Sequence, residues 1–197
     1  MRDQLAVGRP REFDETDILR RIMDLFWQHG FEGVSLADIM TATDLKKGSL
    51  YAAFGDKRAM YLKALAQYDD DVVSTAAHAL KDKTVSPGER LEAFLTSPLA
   101  APQKGDRKGC FLCNASADQA DVDQDAKGQV KKGFDKLKRG LMTALTDLNP
   151  EMPTEEVSAK AQTLLAIYAG LRVMVRSGAS IEQLRLSVRV GLEMAAA

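Results

Sequence analysis

The sequence predicts an all-α protein of about nine helices, and three observations predict it. Apolar residues recur every three or four positions through most of the chain. Capping residues stand where such stretches begin, and no alternating β-branched run is long enough for a strand. The prolines are expected in turns.

The elements follow in order. From Asp14 to His29 the apolar positions Ile18, Ile22, Leu25 and Phe26 share one face, with Asp14 as N-cap, Asp17 three residues on, and Gly30 as C-cap. A hydrophobic link over 31–34 leads to Ser35-Leu-Ala-Asp38, a capping-box pattern. It opens a short helix ending near Thr43, with Leu36, Ile39 and Met40 inward. A polar segment, 44–47, precedes a third short helix over 48–54, whose apolar pair is Leu50 and Phe54. Gly55-Asp56 breaks that helix, and Asp56 caps a long one running to about Leu80. Ser86-Pro87 starts the fifth by placing Pro in the first turn, and Leu91, Phe94 and Leu95 face inward. Residues 100–107, rich in Pro, Gly and charge, are expected to form a loop. GCFLCNASADQ follows as a short apolar helix, then 125–148 as a basic amphipathic one closed by Asn149-Pro150. An eighth helix over 154–176 stops at Gly178, and Ser180-Ile-Glu-Gln opens the ninth.

Of the 197 residues, 45% are hydrophobic and 28% charged, enough apolar surface for a real core. The longest nearly apolar run, 164–171, is too short to span a bilayer. The first residues, MRDQLAVGRPREF, lack the apolar block of a signal peptide. The expectation is a cytoplasmic protein without a membrane partner, its thiols kept reduced. A net charge of −1 does not announce a nucleic-acid binder. Residues 1–60 carry nine Lys/Arg against ten Asp/Glu, so any DNA interface must rest on where the charges sit.

Two short helices joined by a tight turn after a longer one have the layout of a helix-turn-helix. One short helix braces on the DNA backbone while the next presents its outer face to the major groove. Leu36, Ile39, Leu50 and Phe54 fix the angle between them, and Lys46, Lys47, Ser49, Ala52 and Ala53 are left facing out. Lysines, serines and backbone N–H groups at a helix start suit phosphate oxygens and base edges.

The stretch GRPREFDETDILRRIMDLFWQHGFEGVSLADIMTATDLKKGSLYAAFGDKRAMYLKAL resembles the N-terminal domain of the TetR family of bacterial repressors. The resemblance implies a homodimer that binds a palindromic double-stranded DNA operator and releases it when a small-molecule effector enters the C-terminal domain. It implies a DNA-binding domain over 1–56, with a basic arm, and an effector-binding and dimerisation domain over 57–197. Ser35 would cap the second helix and touch a phosphate; Lys47, Gly48, Ser49 and Tyr51 would lie on the DNA face; Lys57 would pair with the backbone. Tyr51 is by its own chemistry equally a core aromatic. Family members often have a small hydroxyl residue where this chain has Lys46, which trades about 1 kcal/mol of capping for a possible phosphate contact. Arg9 and Arg11 of the arm would reach an adjacent minor groove, or else remain solvated.

The last two helices carry apolar stripes that in a monomer would simply be core. The resemblance assigns them to a four-helix dimer interface, through Leu164, Leu171, Val175, Leu184, Val188 and Leu192. Arg172 interrupts the apolar face of the eighth helix, as a solvent-facing edge residue or as a carboxylate partner inside an effector pocket. Other candidate pocket residues are Phe94, Cys110, Phe111, Asn114, Met142 and Tyr168.

Cys110 and Cys113 form a C-x-x-C pair with three readings. A zinc half-site needs two more ligands, and only His29 and His78 are on offer, without metal-like spacing. A thiol oxidoreductase needs a βαβ scaffold that the pattern lacks. In a helix, the two sulfurs share a face as small apolar fillers. GCFLCNAS also resembles the Gly-Cys-x-x-x-Asn opening of the sixth helix in a subgroup of TetR-like repressors, some of which sense electrophiles or oxidants through the cysteine, while others bind small unsaturated acids or aldehydes, with Cys110 then a wall of the pocket. Arg107, Lys108 and the helix N-terminus would favour a Cys110 thiolate, with Cys113 as resolving thiol. No cofactor, metal or enzymatic activity is expected.

Overall fold

The computed structural model describes residues 14–118 and 123–196, and it is all-helical over them. The first three helices are α1 (Glu15–His29), α2 (Leu36–Thr43) and α3 (Lys47–Phe54). A long fourth, α4, spans 57–79, and α5 is Pro87–Gln103. Then come α6 (Phe111–Asp118), α7 (Gln124–Leu148), α8 (Thr154–Arg176) and α9 (Ile181–Ala196). None is long and apolar enough to cross a membrane.

The caps explain the starts. Asp14 accepts from the Thr16 N–H at 2.8 Å, and Asp56 from the Ala59 N–H at 2.8 Å. Ser35 with Asp38, and Ser86 with Glu89, complete reciprocal capping boxes. Lys46 occupies the N-cap of α3 with no side-chain cap bond, as its residue type requires. The turn from α2 to α3 closes through Asp44, in the left-handed region at φ 56°.

Ile18, Ile22, Phe26, Ile39, Leu50 and Phe54 meet in the core of the first three helices. That core continues without a break along α4 into α6, α7 and α8. α4 is the bridge: its start packs on α1, its end on α7.

Three features depart from the sequence reading. First, α4 contains a π-helical turn, Asp69–Ser74. From α7, Lys136 brackets it, pairing with Asp69 and donating to Ser74 Oγ at 2.9 Å. Second, α5 runs through Pro98 and Pro102 to Gln103, so the expected loop begins later and prolines are not confined to turns. Pro98 cannot donate to the carbonyl of Phe94; the Ser97 hydroxyl does so instead, at 2.8 Å. Third, Leu164, Leu171, Val175, Leu184 and Val188 are buried inside the protomer, with Leu192 half-buried against the same core. The stripe expected to meet a partner is therefore the inward one. Buried side chains have no surface left to pair, and the outer face of α8 and α9 instead exposes Val173, Leu186 and Val190, each 55–56% accessible.

Candidate functional site

The DNA-facing candidates come together on one surface. Lys46, Lys47, Gly48, Ser49 and Tyr51 are all exposed along the start and outer face of α3. Among the described residues no carboxylate lies within ion-pair distance of Lys46 or Lys47, and Lys47 Nζ stands 5.3 Å from the centre of the Tyr51 ring. Tyr51 is 41% accessible, so it is a surface aromatic and not core. Ala52 is exposed beside it, and Gly48 has open space where a Cβ would stand. Ser35 is exposed at the start of α2, its hydroxyl engaged with Asp38. Lys57, half-buried at the start of α4, lies 4.4 Å from the Phe31 ring centre. Arg9 and Arg11 lie outside the described residues.

A second site is a cavity of about 450 Å³ between α4, α5 and α8. Val72, Ala76, Leu80, Ala93 and Phe94 give it apolar walls, and Phe94 stacks on Tyr168 at 4.3 Å. Its polar end is Arg172, whose Nε donates to Tyr168 Oη at 3.1 Å and whose Nη2 reaches Ser97 Oγ at 3.4 Å. Asp71, in the π turn and also lining the cavity, pairs with Arg20 of α1 at 3.2 Å. Gln67 and then Arg20 hold the Asp71 carboxyl below its ordinary range.

Phe94, Tyr168 and Arg172 line this cavity. Cys110, Phe111, Asn114 and Met142 do not line it. Phe111 is core, edge-on to Tyr61 at 5.7 Å and Tyr68 at 5.8 Å. Met142 packs half-buried against the core. Asn114 joins the two halves of the chain: its Nδ2 donates to Trp27 O at 3.1 Å and Lys108 O at 3.0 Å.

That joint gathers residues the sequence did not single out. Arg176, one turn beyond Arg172 on α8, donates to Trp27 O at 3.3 Å and Gln28 O at 3.1 Å. It thus serves the carbonyls that α1 leaves open at its C-terminus, where a cation is favoured. Asp118 accepts from the Phe31 N–H at 3.0 Å just beyond. The i, i+4 spacing of Arg172 and Arg176 was the available signal, but their targets are far away in sequence. Gly109 fits the same joint: at φ 77°, a Cβ there would stand 2.9 Å from Arg172 O.

Cys110 is 2% accessible and unbridged. The Tyr68 hydroxyl donates to its sulfur at 3.5 Å. The thiol of Cys113, and next the Tyr68 hydroxyl, draw Cys110 down from the ordinary thiol value to about 6 against the opposing effect of burial. Cys113 is pushed up in return. Among the described residues no group of three or more His, Cys, Asp or Glu side chains is placed to hold a metal.

Comparison with known proteins agrees with this arrangement. The model of the family "Bacterial regulatory proteins, tetR family" matches residues 18–64, the span from α1 into α4. The transcriptional repressor ComR of Escherichia coli K12 is 31% identical over 182 residues, covering 90% of this chain and 86% of its own. YezE of Bacillus subtilis, named as a transcriptional regulator, is 27% identical across 95% of this chain and 99% of its own. A cysteine mutant of the TetR-family regulator CifR, solved with a 26-base-pair operator DNA, superposes with a TM-score of 0.81 at 26% identity. The superposition covers 94% of this chain and 98% of that one. With a helix-turn-helix at one end, a helical domain holding a cavity at the other, and a relative this similar across nearly its whole length, the chain belongs to the TetR family of bacterial transcriptional regulators.

Proposed function

We propose that this protein is a ligand-responsive repressor that binds a palindromic operator as a homodimer and leaves it when a small molecule fills the cavity of α4, α5 and α8. Residues 1–56 serve DNA and 57–197 serve the effector and the dimer. The observation that carries the reading is that one helix belongs to both functions. α4 walls the cavity through its π turn, and from that turn Asp71 reaches the Arg20 side chain of α1. A ligand pressing on Val72 and Asp71 acts on the seat of the helix-turn-helix. The second connection is α8, with Arg172 in the cavity and Arg176 on the end of α1. The exposed lysines of α3 supply phosphate contacts, and Val173, Leu186 and Val190 supply an apolar face for the second copy. Such a dimer sets its recognition helices about 34–36 Å apart, one turn of DNA.

Titration of the full-length protein against its own promoter DNA tests this. Saturable, sequence-specific binding with a steep salt dependence is expected. Binding that is equal for unrelated DNA overturns it.

A second reading, sensing through Cys110, is favoured by the Tyr68 hydroxyl that donates to that sulfur at 3.5 Å. In it, the thiolate sulfur adds across the C=C of a quinone, which takes up one proton to become the thioether-linked hydroquinone, and the joint around Gly109 and Asn114 shifts. If Cys110→Ala still releases DNA on treatment with a quinone, this reading fails.

A further inference from the structure

We infer that the cavity takes a small monocarboxylate with an otherwise apolar body, its carboxylate docked on Arg172. The inference rests on reading the cavity as the effector site. Two arginines border this cavity, and the contrast between them carries the argument. Arg90 is buried, but Asp147 lies 2.9 Å from its Nη2 and Leu80 O accepts from its Nη1 at 3.0 Å. Its charge is answered within the protein. Arg172 is half-buried, and among the described residues no carboxylate lies within 4.0 Å of it. Its partners, Tyr168 and Ser97, are neutral hydroxyls that hold Nε and one Nη2 hydrogen and orient the plane. Among the described residues no hydrogen bond involves its Nη1. An arginine cannot lose its proton to relieve the cost of shelter, so the site is complete only with an anion from outside.

The remaining wall narrows the anion. Val72, Ala76, Leu80, Ala93 and Phe94 offer no polar partner to the rest of a ligand. Three acids also border the cavity, each already engaged: Asp71 with Arg20, Asp82 with Thr84, and Glu89 with Ser86. Engaged carboxylates remain negative and repel a second charge on the ligand. A dicarboxylate or a phosphate dianion is disfavoured, while one planar carboxylate matches the open fork. A cavity of about 450 Å³ is ample for such a molecule.

Calorimetric titration of the full-length protein with matched probes tests the inference: octanoate against octanamide, phenylacetate against phenylacetamide, and suberate as the doubly charged control. At least one acid is expected to bind about tenfold more tightly than its amide, and suberate more weakly than octanoate. Arg172→Gln should erase the acid preference, and Arg172→Lys should keep part of it, which separates lost charge from a damaged fold. Neither acid exceeding its amide, or a preference that survives Arg172→Gln, overturns the inference. The same samples are assayed for operator binding. Intact operator binding without acid preference rejects only the carboxylate inference, whereas a wild-type protein that ignores its operator rejects the regulator reading itself.

Discussion

The outer face of α3 and the inner wall of the cavity each present a cation with no carboxylate within 4.0 Å among the described residues, yet the two are built on opposite terms. Lys46 and Lys47 stand in water, which solvates each ammonium at little cost and screens it from the rest of the molecule. In the proposed operator complex, their attraction for phosphate would come chiefly from released counterions and fade steeply with salt. Arg172 is sheltered, fixed by Tyr168 and Ser97, and next to apolar surface, so its pairing is directional and resists screening. On the proposed reading, the same charge serves a broad affinity for a polyanion at one end and selection of one small anion at the other. Arg90 shows the third case, a sheltered cation whose partner is built in.

Breaking that built-in pair should have the largest effect. Asp147→Asn leaves Arg90 buried without its anion and is expected to cost about 3 kcal/mol in urea denaturation. Lys83, and then Arg90, hold the Asp147 carboxyl below its ordinary value. The contribution is therefore complete above the ordinary carboxylate range and is lost as pH falls through the folded-state value, so the mutant's deficit should shrink in acid. A stability gap unchanged between neutral and strongly acidic pH would contradict this.

At the exposed end, Lys47→Glu should weaken operator binding by about 100-fold at low salt, acting twice in a dimer, while leaving the melting temperature nearly unchanged. Fluorescence anisotropy at two salt concentrations checks both the loss and a shallower salt slope. Between the two ends, Gly109→Ala should cost about 2 kcal/mol, from the positive φ and the close approach to Arg172 O together. Equal stability of mutant and wild type would mean the joint gives way more easily than its geometry implies. The smallest effect belongs to Ser97→Ala. Losing the hydroxyl that serves the Phe94 carbonyl should cost under about 1 kcal/mol, together with a few-fold loss of acid binding.

The exposed end was legible in the sequence because its signals are local. Ser35 with Asp38, Asp56, the inward Ile39 and Leu50, and the outward lysines all report on neighbours within a few residues. The cavity end was legible only in part. An amphipathic stripe on α8 or α9 tells that a face is covered, not by what, and Leu164 and Val188 turned out to be covered by their own protomer. Phe94, Tyr168 and Arg172 reach the cavity, but Phe111 and Asn114, on the same kind of apolar helix, are spent on the core and the joint. Pro98 misled because a hydroxyl one residue away meets the carbonyl it leaves open. The π turn of α4 gave no signal at all, since Asp69–Ser74 differs from an ordinary helix only in company with Lys136 on α7.

That turn also sets an angle. An α-helix rotates by about 100° per residue, so an insertion must be absorbed locally or everything beyond it points the wrong way. Tyr61, Leu65 and Tyr68 lie before the turn and are buried in the core; Val72, Ala76 and Ala79 lie within or after it and face the cavity. The π turn keeps both aims true within one rod. Wound as a regular α-helix, the same residues would re-aim the cavity half of α4 by about 100° against the half that packs on α1. In the proposed repressor, the place where the ligand presses and the place where it is felt are thus held in phase by the one extra residue that the π turn absorbs.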